Sequence, residues 1–303
     1  REHEIFAYAK KYKIKVTSDI EQFLEINQSL KILVTGTNGK TSTCLLIDSL
    51  FQNFFPELNI SVLGNIGKPV LSSIEEDIDI SIIEVSSFQL ELLNEVRFDI
   101  GVLLNIEQDH MDIHSSYENY KKIKYSILEK SLFKISYDNN SVLRDNTFCF
   151  KDLELPKGLI HSKIFKHWPF HDLENLKASL AVLKCYSEKF CDVSFDQTNL
   201  FKELEKTFLK FSKLPHRFEL LSTAKGLHFI NDSKATNLDA MLKAIEAARI
   251  LNEEGDIILI CGGDIKSQEI SSMDISNVSA VKRILIYGKD KKILHKSLKS
   301  HTD

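Results

Sequence analysis

The chain has 303 residues, 43 % of them hydrophobic and 27 % charged, which is material for about two domains of ~150 residues with a sizeable core. A formal charge of −4 and a pI near 6.2 leave no basic footprint for nucleic acid, so the lysine-rich stretches at 10–15 and 289–299 read as solvated faces. Apolar runs such as Ile257 to Cys261 fall far short of the ~20 residues that cross a bilayer, and the charged opening Arg1-Glu2-His3-Glu4 leads into a helical pattern, so neither a membrane segment nor a secretory peptide is expected.

Residues 1–30 hold an amphipathic helix with Ile5, Tyr8, Ala9 and Tyr12 on one face, then Lys13 to Val16, then Ser18-Asp19 capping a second short helix. From residue 31 the patterns alternate: strand 31–35, helix 40–54, strand 60–63, helix near 67–75, strand 79–84, helix 88–95, strand 100–105 and helix 116–130. This order predicts parallel βαβ units in an α/β, doubly wound, mostly parallel sheet whose ligands sit at the carboxyl ends of its strands. Residues 131–165 lose the helical period and show three β-like pieces, 132–137, 147–150 and 158–161, which predict an added antiparallel hairpin or a sheet edge. Helical periodicity returns over 173–190 and 197–210. Leu214-Pro215-His216-Arg217-Phe218 then punctuates the chain, and strands 218–222 and 227–230, helix 237–251, and strands 257–261 and 284–287 follow. A boundary near 214 therefore divides a P-loop domain, 31–213, from a smaller Rossmann-like α/β domain, 214–303.

Five cysteines, Cys44, Cys149, Cys185, Cys191 and Cys261, lack close spacing and suit reduced structural thiols in a cytoplasmic protein. Glycine is sparse, 11 of 303 residues against a background near 7 %, so its placement is informative. Six of the 11 lie in three loops, 36/39, 64/67 and 262/263, each after a strand-like run.

The first of these loops, Gly36-Thr37-Asn38-Gly39-Lys40-Thr41-Ser42, carries the strongest chemistry. Backbone N–H groups and the positive end of the following helix suit a phosphate, Lys40 suits β- and γ-oxygens, and the Thr41 hydroxyl suits Mg²⁺. The common P-loop has four residues between its glycine and Gly-Lys; here only two separate Gly36 from Gly39, so the motif is either accidental or of a distinct P-loop class. Glu84 ends a buried strand, where a carboxylate is costly unless paired or metal-bound; a Mg²⁺ ligand and a capped or salt-bridged glutamate both satisfy that. After Asn105, the run Glu107, Asp109, His110, Asp112 and His114 is dense in acids and imidazoles. Asn231-Asp232-Ser233-Lys234-Ala235-Thr236-Asn237 reads as a ligand loop or as the cap of the next helix, and Gly262-Gly263-Asp264-Ile265-Lys266 repeats the strand-then-glycine device.

Taken in order, Gly36 to Thr41, Glu84-Val-Ser-Ser-Phe-Gln89, Asp109-His-Met-Asp112, Leu214 to Phe218, Asn231 to Asn237 and Gly262 to Lys266 resemble the Mur ligase superfamily of ATP-dependent amide-bond-forming enzymes, whose shortened P-loop folylpolyglutamate synthetases share. The Ser-Ser-Phe-Gln and Asp-Ser-Lys-Ala-Thr-Asn strings resemble those members that add D-glutamate to UDP-N-acetylmuramoyl-L-alanine. The resemblance implies that Gly36, Thr37, Asn38, Gly39, Lys40, Thr41, Ser42, Asn175, Arg217 and Asp232 contact ATP. It places Asn65, Gln89 and His110 on the muramoyl-alanine substrate, and Lys234, Thr236 and Lys266 on the ADP and D-glutamate side. Thr41 and Glu84 would hold one Mg²⁺ and His110 a second, with Lys124 matching a lysine carbamylated near that metal; Lys40, His110 and Lys124 are thus the catalytic set. Without the resemblance, Lys124 reads as a solvated helix lysine beside Lys121 and Lys122.

Two departures stand out. The adenine-contacting stretch, His-Asn followed after two residues by Asn in the family, is here His171-Asp172-Leu-Glu-Asn175, and Ile265 replaces a glycine of the Gly-Gly-Asp-Gly-Lys form. The family also carries an N-terminal UDP-binding domain, so residues 1–30 are expected to be its remnant and linker, and 214–303 an incomplete C-terminal domain. The implied setting is cytoplasmic peptidoglycan precursor synthesis by a monomer, with no nucleic-acid or membrane partner. The alternatives are a diaminopimelate- or lysine-adding ligase, a folylpolyglutamate synthetase, or a non-catalytic P-loop module.

Overall fold

Continuous β-branched and leucine-rich runs without polar alternation are what a parallel sheet buried on both faces requires, and four of them pair in that way. The computed structural model describes residues 4–137, 145–166, 168–195, 198–209, 211, 213–224, 226–251, 255–264, 278 and 281–299. These form two compact units, one of Arg1–Asn105, Tyr120–Lys157 and Glu174–Thr207, the other of Ile106–Asn119, Gly158–Leu173 and Phe208–Asp303.

In the first unit, helices α1 (Glu4–Lys11) and α2 (Asp19–Ile26) precede strand β1 (Leu30–Thr35). Ser18 caps α2 by accepting the Glu21 N–H, as its sequence position predicts. The apolar stripe of α1 differs from expectation: Ala9 is buried, whereas Ile5, Tyr8 and Tyr12 are exposed. Next come α3 (Lys40–Phe54), β2 (Ile60–Gly64), β3 (Ile80–Glu84), α4 (Ser87–Leu92), β4 (Phe98–Leu103), α5 (Tyr117–Lys130), β5 (Ser131–Ser136), β6 (Thr147–Cys149), α6 (Phe170–Phe190) and α7 (Leu200–Phe208). The strands form one sheet in the order β2-β3-β1-β4-β5-β6, parallel at every pairing. Val34 lies opposite Glu84 on one side and Val102 on the other, and Ile32, Leu33, Val34, Ile82, Ile100 and Val102 are fully buried. The strand order reverses at β1, so the crevice at its carboxyl end is where a doubly wound sheet takes its ligand.

One sequence expectation is decided and two change. Of the two alternatives for 132–137 and 147–150, the sheet edge holds and the antiparallel hairpin does not: both are parallel additions that finish one side of the sheet. Residues Leu159–His161 form a 3-10 turn that buries Leu159 and leaves Ile160 exposed, so this apolar pair is no strand. The helix expected near 67–75 shrinks to a 3-10 turn at Val70–Ser73, because Gly67 has φ +72° and Pro69 sits at its start.

The second unit contains an antiparallel pair, β7 (Glu219–Ala224) with β8 (Leu227–Asn231), then α8 (Leu238–Leu251), β9 (Ile257–Gly262), β10 (Val281–Tyr287) and α9 (Lys291–Leu298). β9 and β10 are parallel, and Leu238, Leu242, Ile245, Val278, Val281, Leu294 and Leu298 make their core. Helix α9 places Leu294 and Leu298 inside and its lysines outside, so the lysine-rich end is a solvated face of an ordered element. All five cysteines are free. Among the described residues no helix is long and apolar enough to cross a membrane.

Candidate active site

β1 ends at Thr35, and Gly36 opens the loop. A Cβ on Gly36 would lie 2.9 Å from Leu104 Cβ, so only glycine lets the loop pass the segment after β4 so closely. Gly39 sits at the N-cap of α3 with φ +85°, and a Cβ there would collide with Asn175 Oδ1. Asn175, buried on α6, is therefore packed against the start of α3, whose first-turn N–H groups lack intrahelical partners and carry the positive end of the helix dipole.

Around this loop the polar groups interlock. Lys40 Nζ donates to the carbonyls of Gly36 and Thr37 at 2.8 and 2.9 Å. Lys124, only 2 % exposed on α5, donates to Thr35 Oγ1 at 3.2 Å and Gly36 O at 3.0 Å, so it is a buried site residue and not a solvated one. Thr37 Oγ1 and the Tyr120 hydroxyl share a 3.0 Å hydrogen bond. The backbone N–H groups of Thr37 and Asn38 are not free to wrap an anion, as the sequence reading supposes: they donate to Asn105 O and Asn105 Oδ1, both at 2.8 Å. Asn105 and Tyr120 are the residues that sequence reasoning missed. The available signal for Asn105 was an amide side chain two places after a buried strand that neighbours the P-loop strand.

At the end of β3, Glu84 is 3 % exposed. Its carboxylate accepts from Thr41 Oγ1 at 2.7 Å and Asn65 Nδ2 at 3.2 Å, donors that offset the cost of burying it. Asn65 also donates its backbone N–H to Glu84 O at 3.1 Å, and Gly64, with φ +99°, leaves room for that approach. Thr41, Glu84 and Asn65 are thus brought together. A hydroxyl and a carboxylate beside a phosphate loop fit Mg²⁺, which takes hard oxygen ligands and usually one or two from protein. Gln89 has its Oε1 committed to Ser86, accepting from Ser86 N and Oγ at 2.9 and 3.0 Å in a capping box that starts α4. Ser42 lies in the first turn of α3. A cavity of about 670 Å³ lined by Lys15, Glu21, Asn94 and Arg97 precedes β4, at the opposite end of that strand from Asn105, and none of the expected site residues lines it.

In the second unit His110 adopts φ +57°, a sparsely populated conformation for a non-glycine residue. Its N–H donates to Asp109 Oδ1 at 2.9 Å, and Asn237 Nδ2 donates to Asp109 Oδ2 at 3.4 Å. Arg217 stands between two residues of positive φ, His216 at 65° and Phe218 at 46°. The Phe218 N–H donates to Asp232 Oδ1 at 2.9 Å, and Arg217 is one of the charges acting on Asp232. Burial pushes the Asp232 carboxyl above its ordinary range, against the pull of the Phe218 N–H. Lys234 and Thr236 are exposed on the loop after β8, and Asn237 caps α8 by accepting the Ala240 N–H at 2.9 Å. Asp172 is ion-paired with Lys213, and burial lowers the pKa of the adjacent His171. Gly262 and Gly263 both have positive φ at the end of β9; Ile265 and Lys266 lie outside the described residues.

As an ammonium, Lys124 donates hydrogen bonds and ligates no cation, so it could serve a metal only in another chemical form; His110 belongs to the other unit. Among the described residues no cluster of three or more His, Cys, Asp or Glu side chains is arranged to hold a metal ion.

Residues 34–147 match the family described as Mur ligase middle domain, and residues 216–301 the one described as Mur ligase, glutamate ligase domain. The chain is similar to the UDP-N-acetylmuramoylalanine–D-glutamate ligase of Francisella philomiragia, with 31 % identity over 300 residues that cover 95 % of this chain and 68 % of the relative. Among solved structures it resembles a pseudomurein peptide ligase type C from Methanothermus fervidus, at 17 % identity and a TM-score of 0.63, over 94 % of this chain and 68 % of that one. It also resembles a MurF ligase from Thermotoga maritima in complex with ADP, at 17 % identity and a TM-score of 0.57, over 99 % and 84 % of the two chains. At such identities the two structures speak for the fold alone.

Proposed function

The chain belongs to the Mur ligase family, and from that premise we propose that it is an ATP-dependent ligase joining D-glutamate to UDP-N-acetylmuramoyl-L-alanine through an acyl phosphate, in cytoplasmic peptidoglycan precursor synthesis. The likeness along nearly the whole chain to a D-glutamate ligase supports the substrates. The observation that carries the chemistry is the meeting of Thr41 and Glu84 at the start of α3.

In this reaction a carboxylate oxygen of the alanyl group attacks the γ-phosphorus, the bond to the β,γ-bridging oxygen breaks, and ADP leaves. The D-glutamate amine then attacks the acyl carbon, inorganic phosphate departs with the bonding electrons, and the nitrogen loses a proton. Little covalent chemistry falls to the protein; its task is positioning and charge neutralisation. Gly36 to Ser42 present the N-terminus of α3 to the phosphates, and Lys40 exchanges its loop carbonyls for β- and γ-oxygens. Asn175, beside Gly39, is assigned to the nucleotide, and the family resemblance assigns Arg217 and Asp232 to it as well. Thr41 and Glu84 would hold Mg²⁺, which supplies neutralisation of phosphate charge, and Asn65 keeps the Glu84 carboxylate turned toward Thr41. Asn65, Gln89 and His110 contact the muramoyl substrate; Lys234, Thr236 and Lys266 serve the ADP and D-glutamate side.

Lys124 is assigned as a carbamate, formed when its neutral amine adds carbon dioxide and releases a proton. Burial at the base of the loop supports this, since a carboxylate there is a ligand where an ammonium is not. The family resemblance assigns a metal-ligand role to His110 as well. The two catalytic domains are 31–213 and 214–303, a division supported by the family matches on either side of 214. The enzyme works as a monomer.

The test is phosphate release by the full-length protein. Release is expected only with ATP, Mg²⁺, UDP-N-acetylmuramoyl-L-alanine and D-glutamate together; equal turnover with L-lysine, diaminopimelate or a folate would overturn the substrate assignment, and no ligation of any substrate would favour a non-catalytic P-loop module.

A further inference from the structure

The shortened loop raises a physical question. A P-loop holds an anion with backbone N–H groups, and shortening it by two residues removes some of them. Here two of the remaining groups are already taken. Asn105 lies two residues beyond β4, and three of its four polar groups bind the loop: its carbonyl accepts the Thr37 N–H at 2.8 Å, its Oδ1 accepts the Asn38 N–H at 2.8 Å, and its Nδ2 donates to Asn38 O at 3.0 Å. The side chain thus pairs with Asn38 in both directions, as a strand neighbour would. Close packing of Gly36 on Leu104 and the Leu104 N–H bond to Thr35 O at 3.0 Å bring the two segments together for it.

We propose that Asn105 is a positioning residue of the nucleotide site: it holds the Gly36–Gly39 loop in one shape with or without nucleotide, and directs the triphosphate onto the N–H groups of the first turn of α3 and onto Lys40 rather than onto Thr37 and Asn38. The inference rests on the ligase reading only in taking ATP as the ligand. It makes the loop a rigid, preorganised wall, held by a side chain in place of the amides that a longer loop uses, so no ordering of Thr37 or Asn38 accompanies binding.

Residue-resolved amide hydrogen exchange on the wild-type protein, with and without ADP, tests this directly. The Thr37 and Asn38 amides are expected to be protected without ADP and unchanged by it, while amides of Thr41 and Ser42 gain protection. Rapid exchange at 37 and 38 that slows only with ADP would overturn the proposal. In Asn105→Ala the two amides should separate: Asn38 loses protection, whereas Thr37, whose acceptor is a backbone carbonyl, keeps it. The Kd for ADP and KM for ATP should rise about tenfold with KM for D-glutamate unchanged. Loss of protection at both amides, or parallel changes in every KM, would mark a merely structural role and overturn it. ADP binding unaltered by Asn105→Ala overturns this inference alone; a wild-type protein that binds no ADP overturns the ligase reading with it.

Discussion

Replacing Gly39 by alanine probes the loop and Asn175 in one step. At φ +85° an alanine is expected to lose about 1–2 kcal/mol to left-handed backbone sterics. Its Cβ would also strike Asn175 Oδ1, with Cγ and Nδ2 at 3.1 and 3.2 Å. Asn175 is 6 % exposed, so it has no open water to swing into, and displacing a buried polar side chain costs roughly 1–3 kcal/mol. Together these give about 3 kcal/mol, or a drop in Tm of about 6–12 °C for a unit of this size.

Urea and thermal unfolding of Gly39→Ala, Asn175→Ala and the double variant separate the two contributions. Truncating Asn175 empties the space that the new Cβ needs, so only the backbone cost of Gly39→Ala should remain in the double variant. It is expected to be more stable than the sum of the single changes predicts by about 1 kcal/mol or more. Additivity within about 0.5 kcal/mol would refute the reasoning, because it would mean that Asn175 is not against the loop.

Glu84→Gln keeps an acceptor for Thr41 but removes the charge; the Mg²⁺ concentration for half-maximal phosphate release should rise at least about tenfold with Tm unchanged or higher, and an unchanged Mg²⁺ requirement would remove Glu84 from the metal site. Lys124→Ala should be inactive and partly restored by bicarbonate or a short carboxylate, and the intact mass of the wild-type protein should include one added carbon dioxide; full activity in the variant would rule out the carbamate. Burial raises the Asp232 pKa, so the stability contributed by its protonated form is complete below the unfolded carboxylate's pKa and is lost as pH rises through the higher native value. Asp232→Asn, which retains an acceptor for the Phe218 N–H, should therefore melt above wild type near pH 7, with the gap closing toward about pH 4; a gap that widens on acidification would contradict the burial argument.

The strands of the first sheet were legible because each buried strand is a single apolar run that ends in a polar or glycine residue: Thr35 before Gly36, Gly64, Glu84, and Leu103 before Asn105. For β5 the sequence left a hairpin and a sheet edge open, because its half-exposed residues, Leu132 to Lys134, imitate the alternation of an antiparallel strand. The signal for a parallel strand was present, since α5 ends at Lys130 and β5 begins at Ser131, and a helix between strands is a crossover. In the site, Thr41 and Glu84 were legible as strand-end and loop chemistry. The Asn105 clamp was not, because it joins positions 67 residues apart, and no local pattern records which amide meets which backbone. Lys124 shows the opposite failure: beside Lys121 and Lys122 it looks like surface, and only the packing of α5 buries it.

The two lysines of the site also constrain each other. Gly36 O accepts from Lys40 Nζ at 2.8 Å and from Lys124 Nζ at 3.0 Å, so their nitrogens stand no more than about 6 Å apart. Taken by themselves, two ammonium groups at that separation repel by about 3 kcal/mol at an effective dielectric of 20, which the carbonyls of Gly36 and Thr37 and the Thr35 hydroxyl oxygen counter. Either of two events relieves this repulsion. In the proposed nucleotide complex a triphosphate would draw Lys40 off the carbonyl and convert the repulsion into binding free energy. In the proposed carbamate, carbon dioxide would turn Lys124 from cation to anion and the repulsion into attraction toward Lys40 or a metal. On the proposed reaction the first would reverse with each turnover, while the second would set the charge of the site before substrate arrives. If Lys124 carries the proposed carbamate, the loop carbonyl between the two lysines is where nucleotide binding and lysine modification would act on each other; the ADP affinity of the wild-type protein should then depend on bicarbonate, and an affinity independent of bicarbonate would refute that coupling.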